Sequence, residues 1–290
     1  MSVLQALLSG VLQGITSFLP VSSSGHLVLL GRLFGTDAEV SLKFLSVMHI
    51  GTLIAVVIVC FKDLLRLLRA GWDILKDLFY NAGQAVHLAR RPDQIRYRKI
   101  LTTNFRKLFV WLLVSTIPTA FLAILLRRTA ETAAGSLLST GTGFLITALF
   151  LMVASFMTDS RRHSRKLRLR GALLTGILQG FAVVPGISRM GMAYAGVSCS
   201  GCSRRFAVRY AYLLSIPGIV GGLLLERAEA GVSLRETVGI LPCLAGIAAA
   251  AVTGILFLRR AAAMVSTRSG KGYAGYCIFL GILCILLYLV

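Results

Sequence analysis

Two short stretches concentrate polar chemistry inside otherwise apolar sequence: Pro20-Val-Ser-Ser-Ser-Gly-His26 and Pro185-Gly-Ile-Ser-Arg189. Adjacent hydroxyls beside an imidazole suit nucleophilic attack and proton transfer near neutral pH. A guanidinium offers a planar fork that matches phosphate oxygens bidentately. Each stretch opens on a proline, which removes a backbone donor and ends or kinks a helix. Gly25 and Gly186 then allow close backbone approach. A helix restarting after such a break presents unpaired N–H groups, a positive dipole end suited to phosphate. Ser22, Ser23, Ser24 and Ser188 add short hydroxyl donors. Together these residue types point to an anion site for phosphate, with Ser22, Ser23 and His26 able to act on it.

The elements that must position these residues repeat. The first stretch is preceded by Gly10-Val-Leu-Gln-Gly and the second by Gly176-Ile-Leu-Gln-Gly, 166 residues later. Each copy runs about one apolar turn, then breaks at proline into Ser and Gly. One copy ends in His26, the other reaches Arg189. The matched Gln13 and Gln179 are expected to face each other near the site. An arginine within a membrane segment is a functional residue by default. His49, alone on an apolar run, reads instead as a core histidine.

Composition fixes the class. The 290 residues are 56% hydrophobic and 14% charged, against about 25% charged in a soluble domain. Several apolar runs reach the roughly 20 residues of a spanning helix. The chain therefore reads as an all-α, multi-pass membrane protein. No basic n-region or A-x-A site marks a cleavable leader, since the first cation is Arg32. The net charge of +20 sits in loops, where it sets orientation and meets anionic headgroups. No nucleic-acid motif accompanies it. The six cysteines stand mostly in apolar runs and behave as small hydrophobes. Cys199-Ser-Gly-Cys202 lacks the second ligand pair of a zinc site.

Loops 62–107, 159–170 and 259–272 are basic and are predicted to be cytoplasmic. Within the first, Leu64 to Leu88 keeps helical apolar spacing, as an amphipathic helix on the membrane surface would. Runs 44–61, 108–126, 141–158, 210–225, 237–258 and 273–290 are the predicted spans. With loop 226–236 outside, the second broken segment begins and ends inside, so it re-enters. The same behaviour in the first segment puts the N-terminus outside; a single span with the N-terminus inside is the rival. Residues 1–160 and 171–290 then form two repeats of opposite orientation, a layout that places its site where discontinuous helices meet.

The motifs Pro20-Val-Ser-Ser-Ser-Gly-His26 and Pro185-Gly-Ile-Ser-Arg189 resemble the two signatures of the undecaprenyl pyrophosphate phosphatase family, the BacA-type bacitracin-resistance proteins. The resemblance covers nearly the whole chain. It implies removal of a phosphate from the isoprenyl pyrophosphate carrier of cell-wall synthesis, in the bacterial plasma membrane, at a site opening to the outer face. It places the serine nucleophile at Ser23 with Ser22 beside it, and a catalytic histidine at His26. It places pyrophosphate binding at Ser188 and Arg189, with Gly186, Ser24 and Gly25 around them. The family carries two glutamates, four residues apart, before the first proline, apt for a proton relay or Mg²⁺. Here those positions are Gln13 and Ser17. Neither broken segment retains an acid, and glutamine is neither a base nor a good Mg²⁺ ligand. Two functions follow as expectations: a lipid pyrophosphatase, or a carrier that binds and reorients isoprenyl phosphate without cleaving it.

Overall fold

The computed structural model describes residues 1–36, 38–88, 97–159, 166–227, 238–267 and 270–289. Among these it is helical, without strands. Helix α1 (Val3–Thr16) starts at a capping box: the Ser2 hydroxyl accepts from Gln5 N–H, and Gln5 reaches back to Ser2 N–H. The chain breaks at Pro20 and restarts as α2 (Ser23–Leu33). Then follow α3 (Ala38–Val59), α4 (Phe61–Leu88), α5 (Asn104–Leu125), α6 (Arg127–Ala134) and α7 (Leu137–Asp159). The second half opens with α8 (Leu169–Gly180), one 3₁₀ turn at Phe181–Val183, and α9 (Arg189–Cys199). It closes with α10 (Arg204–Arg227), α11 (Ile240–Thr267) and α12 (Lys271–Leu289).

Helices α5, α7, α10, α11 and α12 are each long and apolar enough to cross a membrane. Helix α3 supplies a sixth span when its bent pair with α4 is counted as one. Large apolar side chains such as Ile117, Phe121, Leu241, Leu256 and Phe279 are exposed, as a lipid-facing surface requires. The halves interlock. Helices α1 and α3 pack on α11, α8 and α10 pack on α5, and α7 packs on α12. Gly10 admits the α11 backbone at Gly246, and its echo Gly176 admits the α5 backbone at Ser115. In each half, the helix before the break leans on a span from the other half.

The predicted amphipathic helix is α4. It leaves α3 at 81°, so it lies across the direction of the span it follows. Its exposed stripe is Phe61, Leu65, Leu68, Trp72, Leu75 and Phe79, at the spacing of one helical face. Ionic contacts tie the polar side to the bundle. Arg209 of α10 grips Asp63 through two 2.7 Å bonds, and Arg106 of α5 donates to Asp77 at 2.7 Å. Much of the basic segment 62–107 is therefore packed helix. Arg90, Arg91, Asp93 and Arg96 lie outside the described residues, as do Arg161, Arg162 and Arg165 of loop 159–170 and Glu229, Arg235 and Glu236 of loop 226–236.

Candidate active site

The first break is built around Ser22. It is the only described non-glycine residue in the left-handed region, with φ +62°, a conformation that costs free energy and persists only under outside constraint. Its hydroxyl accepts from Gly25 N–H at 3.3 Å, capping α2, and lies 3.2 Å from the Ser24 hydroxyl. The Ser22 carbonyl accepts from His26 Nδ1 at 2.6 Å, which leaves Nε2 of the neutral ring to accept from the Tyr276 hydroxyl at 2.7 Å. Tyr276 belongs to α12, as does Cys277, whose thiol lies 3.8 Å from the Pro20 carbonyl. From α10, the Tyr212 hydroxyl donates to the Phe18 carbonyl at 2.8 Å. Helices of the second half thus hold the first break open.

The second break mirrors this. The Ser188 hydroxyl accepts from Gly191 N–H at 3.0 Å and caps α9. Thr147 of α7 accepts from Ser188 N–H at 2.9 Å and donates to the Gly186 carbonyl at 2.9 Å. Gly186 has φ +88°, and a side chain there would strike the Thr140 carbonyl. A Cβ on Gly25 would lie 3.1 Å from the Gly186 Cα, so the two breaks touch. The caps Ser22-to-Gly25 and Ser188-to-Gly191 stand 166 residues apart, the period of the sequence echo. At the first helical position after each cap, one half carries Ser23 and the other Arg189.

Both breaks border one cavity of about 1420 Å³, ample for a pyrophosphate head with part of an isoprenoid chain. Ser17, Ser23, Ser24, Gln179, Ser188 and Arg189 line it. Its apolar wall includes Leu45, Val47, Ile187, Ile219 and Leu223. It extends to α6, where Glu131, Thr132 and Gly135 are exposed. There Arg127 donates to Glu131 at 3.2 Å and to the Leu225 carbonyl at 3.0 Å. The Arg189 guanidinium makes no hydrogen bond or ion pair with any described residue. Gly218 gives it room: a Cβ there would lie 3.1 Å from Gln179 Nε2 and 3.9 Å from Arg189 Cδ.

The remaining sequence-predicted residues lie behind this wall. Ser22, Gly25 and Gly186 shape the breaks without lining the cavity. His26 is turned away from it, between Tyr276 and the Phe144 ring. Gln13 is fully buried with both amide atoms unpartnered, and it does not meet Gln179 in the cavity wall. Gln179 donates to the Leu214 carbonyl at 3.4 Å. One residue enters that the sequence reading assigns to the core: His49 of α3 lines the cavity, as does Ser215 of α10. A lone histidine on an apolar helix carries no sequence mark distinguishing a cavity wall from a core. The one available hint is that the segment facing it in the repeat is also polar, at Ser215.

Mg²⁺ held by paired acids does not fit the residues present. Positions 13 and 17 offer an amide and a hydroxyl, and Mg²⁺ sites need carboxylate oxygen. Among the described residues no three His, Cys, Asp or Glu side chains gather closely enough to hold a metal.

A family profile described as "Bacitracin resistance protein BacA" matches residues 6–283. The chain belongs to the BacA family. A BacA relative from Methanosphaera stadtmanae, named undecaprenyl-diphosphatase, is 34% identical over 291 residues, covering 100% of this chain and 99% of the relative. Relatives of the same name from Korarchaeum cryptofilum and Desulfatibacillum aliphaticivorans are 32% and 34% identical, covering 97% and 96% of this chain and 98% and 96% of their own. The BacA family and the apolar helices together make this a multi-pass membrane protein.

Proposed function

We propose that this BacA-family chain hydrolyses undecaprenyl diphosphate, or a related isoprenyl diphosphate, to the monophosphate and free phosphate. One observation carries the reading: an uncompensated Arg189 guanidinium lines a large cavity in a membrane protein, bordered by two serine-capped helix starts. Such a constellation awaits a multiply charged anion with an apolar tail. The names of the relatives support the same reaction. No observation favours the carrier.

Ser23 is the nucleophile in this reading. It lines the cavity at the first turn of α2, whereas the Ser22 hydroxyl is engaged in capping. Its oxygen attacks the terminal phosphorus and the bridging P–O bond breaks. Isoprenyl monophosphate leaves, and water then hydrolyses the phosphoserine. Arg189 and the N–H groups opening α2 and α9 stabilise charge on the transferring group. Ser188 positions Arg189 by capping α9, and Ser24 borders the same anion. His26 acts through the Ser22 carbonyl, holding the strained cap in place. The two halves, 1–160 and 171–290, are inverted repeats in the bacterial plasma membrane. The cavity opens to the outer face, because its α6 mouth lies across the bundle from the basic segments predicted to be cytoplasmic.

The test is phosphate release by purified protein supplied with C55 or C15 isoprenyl diphosphate. Turnover that disappears in Ser23→Ala is expected. Movement of intact labelled lipid phosphate across liposomes, with no phosphate released, would overturn the reading.

A further inference from the structure

A phosphatase working through Ser23 needs a group that accepts the proton of the attacking hydroxyl and returns it to the leaving phosphate. His26 is occupied on both ring nitrogens and is absent from the cavity wall. The titratable side chains that do line the wall are Lys43, His49, Arg127, Glu131, Arg189 and Tyr212. Lysine, arginine and tyrosine hold their protons near neutral pH. Glu131 is exposed and paired with Arg127 on α6. His49 is left. Its ring makes no hydrogen bond with any described residue, and it shares the cavity wall with Ser23 and Arg189.

Resting on the phosphatase reading, we propose that His49 is the proton carrier of the site. In the first step the Ser23 hydroxyl proton passes to a ring nitrogen of His49 as the serine oxygen bonds to phosphorus. The resulting imidazolium gives that proton to the departing isoprenyl phosphate as the bridging P–O bond breaks. In the second step the attacking water loses its proton to His49. The P–O bond to Ser23 then breaks, and the imidazolium reprotonates the serine oxygen. Each step returns His49 to its neutral form, so one water is consumed and one phosphate released.

The surroundings of His49 suit this role. Arg189 of α9 and Tyr212 of α10 line the same cavity. Lys43 lies on its own helix; Arg127 and Glu131 come from α6. Cys243 of α11 packs against the cluster that holds Phe44 and Met48. Helix α1 brings no charged side chain, and His26 of α2 is turned toward Tyr276. Asp63 of α4 is gripped by Arg209. A neutral imidazole can accept a proton and an imidazolium can donate one, as the two steps require.

The experiment compares wild-type and His49→Gln protein in two ways. In phosphate release from C15 isoprenyl diphosphate across pH 5 to 9, the variant is expected to lose about 10²–10⁴-fold in kcat. KM should change little, and the acid limb of the wild-type profile should vanish. Unchanged kcat with the acid limb retained would overturn the proposal. In histidine ring NMR, the signal missing from His49→Gln should titrate in wild type and move when inorganic pyrophosphate is added. An unresponsive signal would overturn the proposal whatever the activity. If that signal responds while wild type releases no phosphate, the phosphatase reading fails and the proposal falls with it, leaving His49 as part of an anion site only.

Discussion

At the scale of single residues, the site divides into groups that face the cavity and groups that hold them there. Arg189 is the fixed charge of the first kind. Removing one such preorganised donor typically costs about 10²–10³ in kcat, so Arg189→Ala should lower phosphate release by at least that much. Arg189→Lys should recover only part of it, because an ammonium lacks the bidentate fork. Steady-state phosphate release on the two variants checks both. Gln13 makes a different point. It is fully buried with neither amide atom bonded, and an unmet buried polar group costs about 1–3 kcal/mol. Gln13→Met, close in volume and apolar, should raise thermal stability in detergent by an amount of that order. A raised melting temperature with lowered turnover would mark Gln13 as kept for function.

At the scale of elements, each break is held by spans from the other half or from the centre. Tyr276, Cys277 and Tyr212 anchor the first, and Thr147 anchors the second. Far from the site, ionic bonds hold α4 to its neighbours. Bonds from Arg106, with a weaker one from Arg98, keep the Asp77 carboxyl below the usual carboxylate range. A carboxyl whose folded pKa is depressed adds stability that is present above the unfolded value, about 4. That stability is lost as pH falls through the folded value. Melting temperature should therefore drop on acidification from pH 5 to pH 3. In Asp77→Asn, already less stable at neutral pH, the drop should be smaller. Differential scanning fluorimetry across that range measures it.

At the scale of the whole molecule, the two halves share one order of elements: broken helix, span and two further spans. They interlock through a shared core. The cluster built on Tyr194, Tyr210 and Phe144 draws on both. If the two halves are inverted repeats, as proposed, the N-terminus lies outside the cell. Ser2→Cys should react with a membrane-impermeant maleimide added to intact cells, with the partly exposed Cys60, Cys199 and Cys243 replaced to lower the background. Labelling only after the cells are opened would instead place α1 as a full span starting inside.

Much was legible before any fold was in hand. Hydropathy alone separates the spans, because backbone groups in lipid must bond within their own helix. The echo at Gly10 and Gly176 announces two matched breaks, and the residue types at Ser23, Ser188 and Arg189 name an anion as ligand. These are local facts, written in composition, period and motif. Which way a side chain turns is not local. His26 and His49 both sit on apolar helices, and sequence reasoning favours the one beside the serines. The fold turns His26 onto Tyr276, 250 positions away in the chain, and sets His49 in the cavity wall that also holds Arg189. The first outcome depends on α12 meeting α2 at Tyr276, the second on α3 and α9 both packing against α10. Pro20-Val-Ser-Ser-Ser-Gly-His26 and Pro185-Gly-Ile-Ser-Arg189 thus name by themselves the residue types suited to an anion. Only the packing of distant helices decides which imidazole lines the cavity, because side-chain direction is set by contacts far apart in the chain.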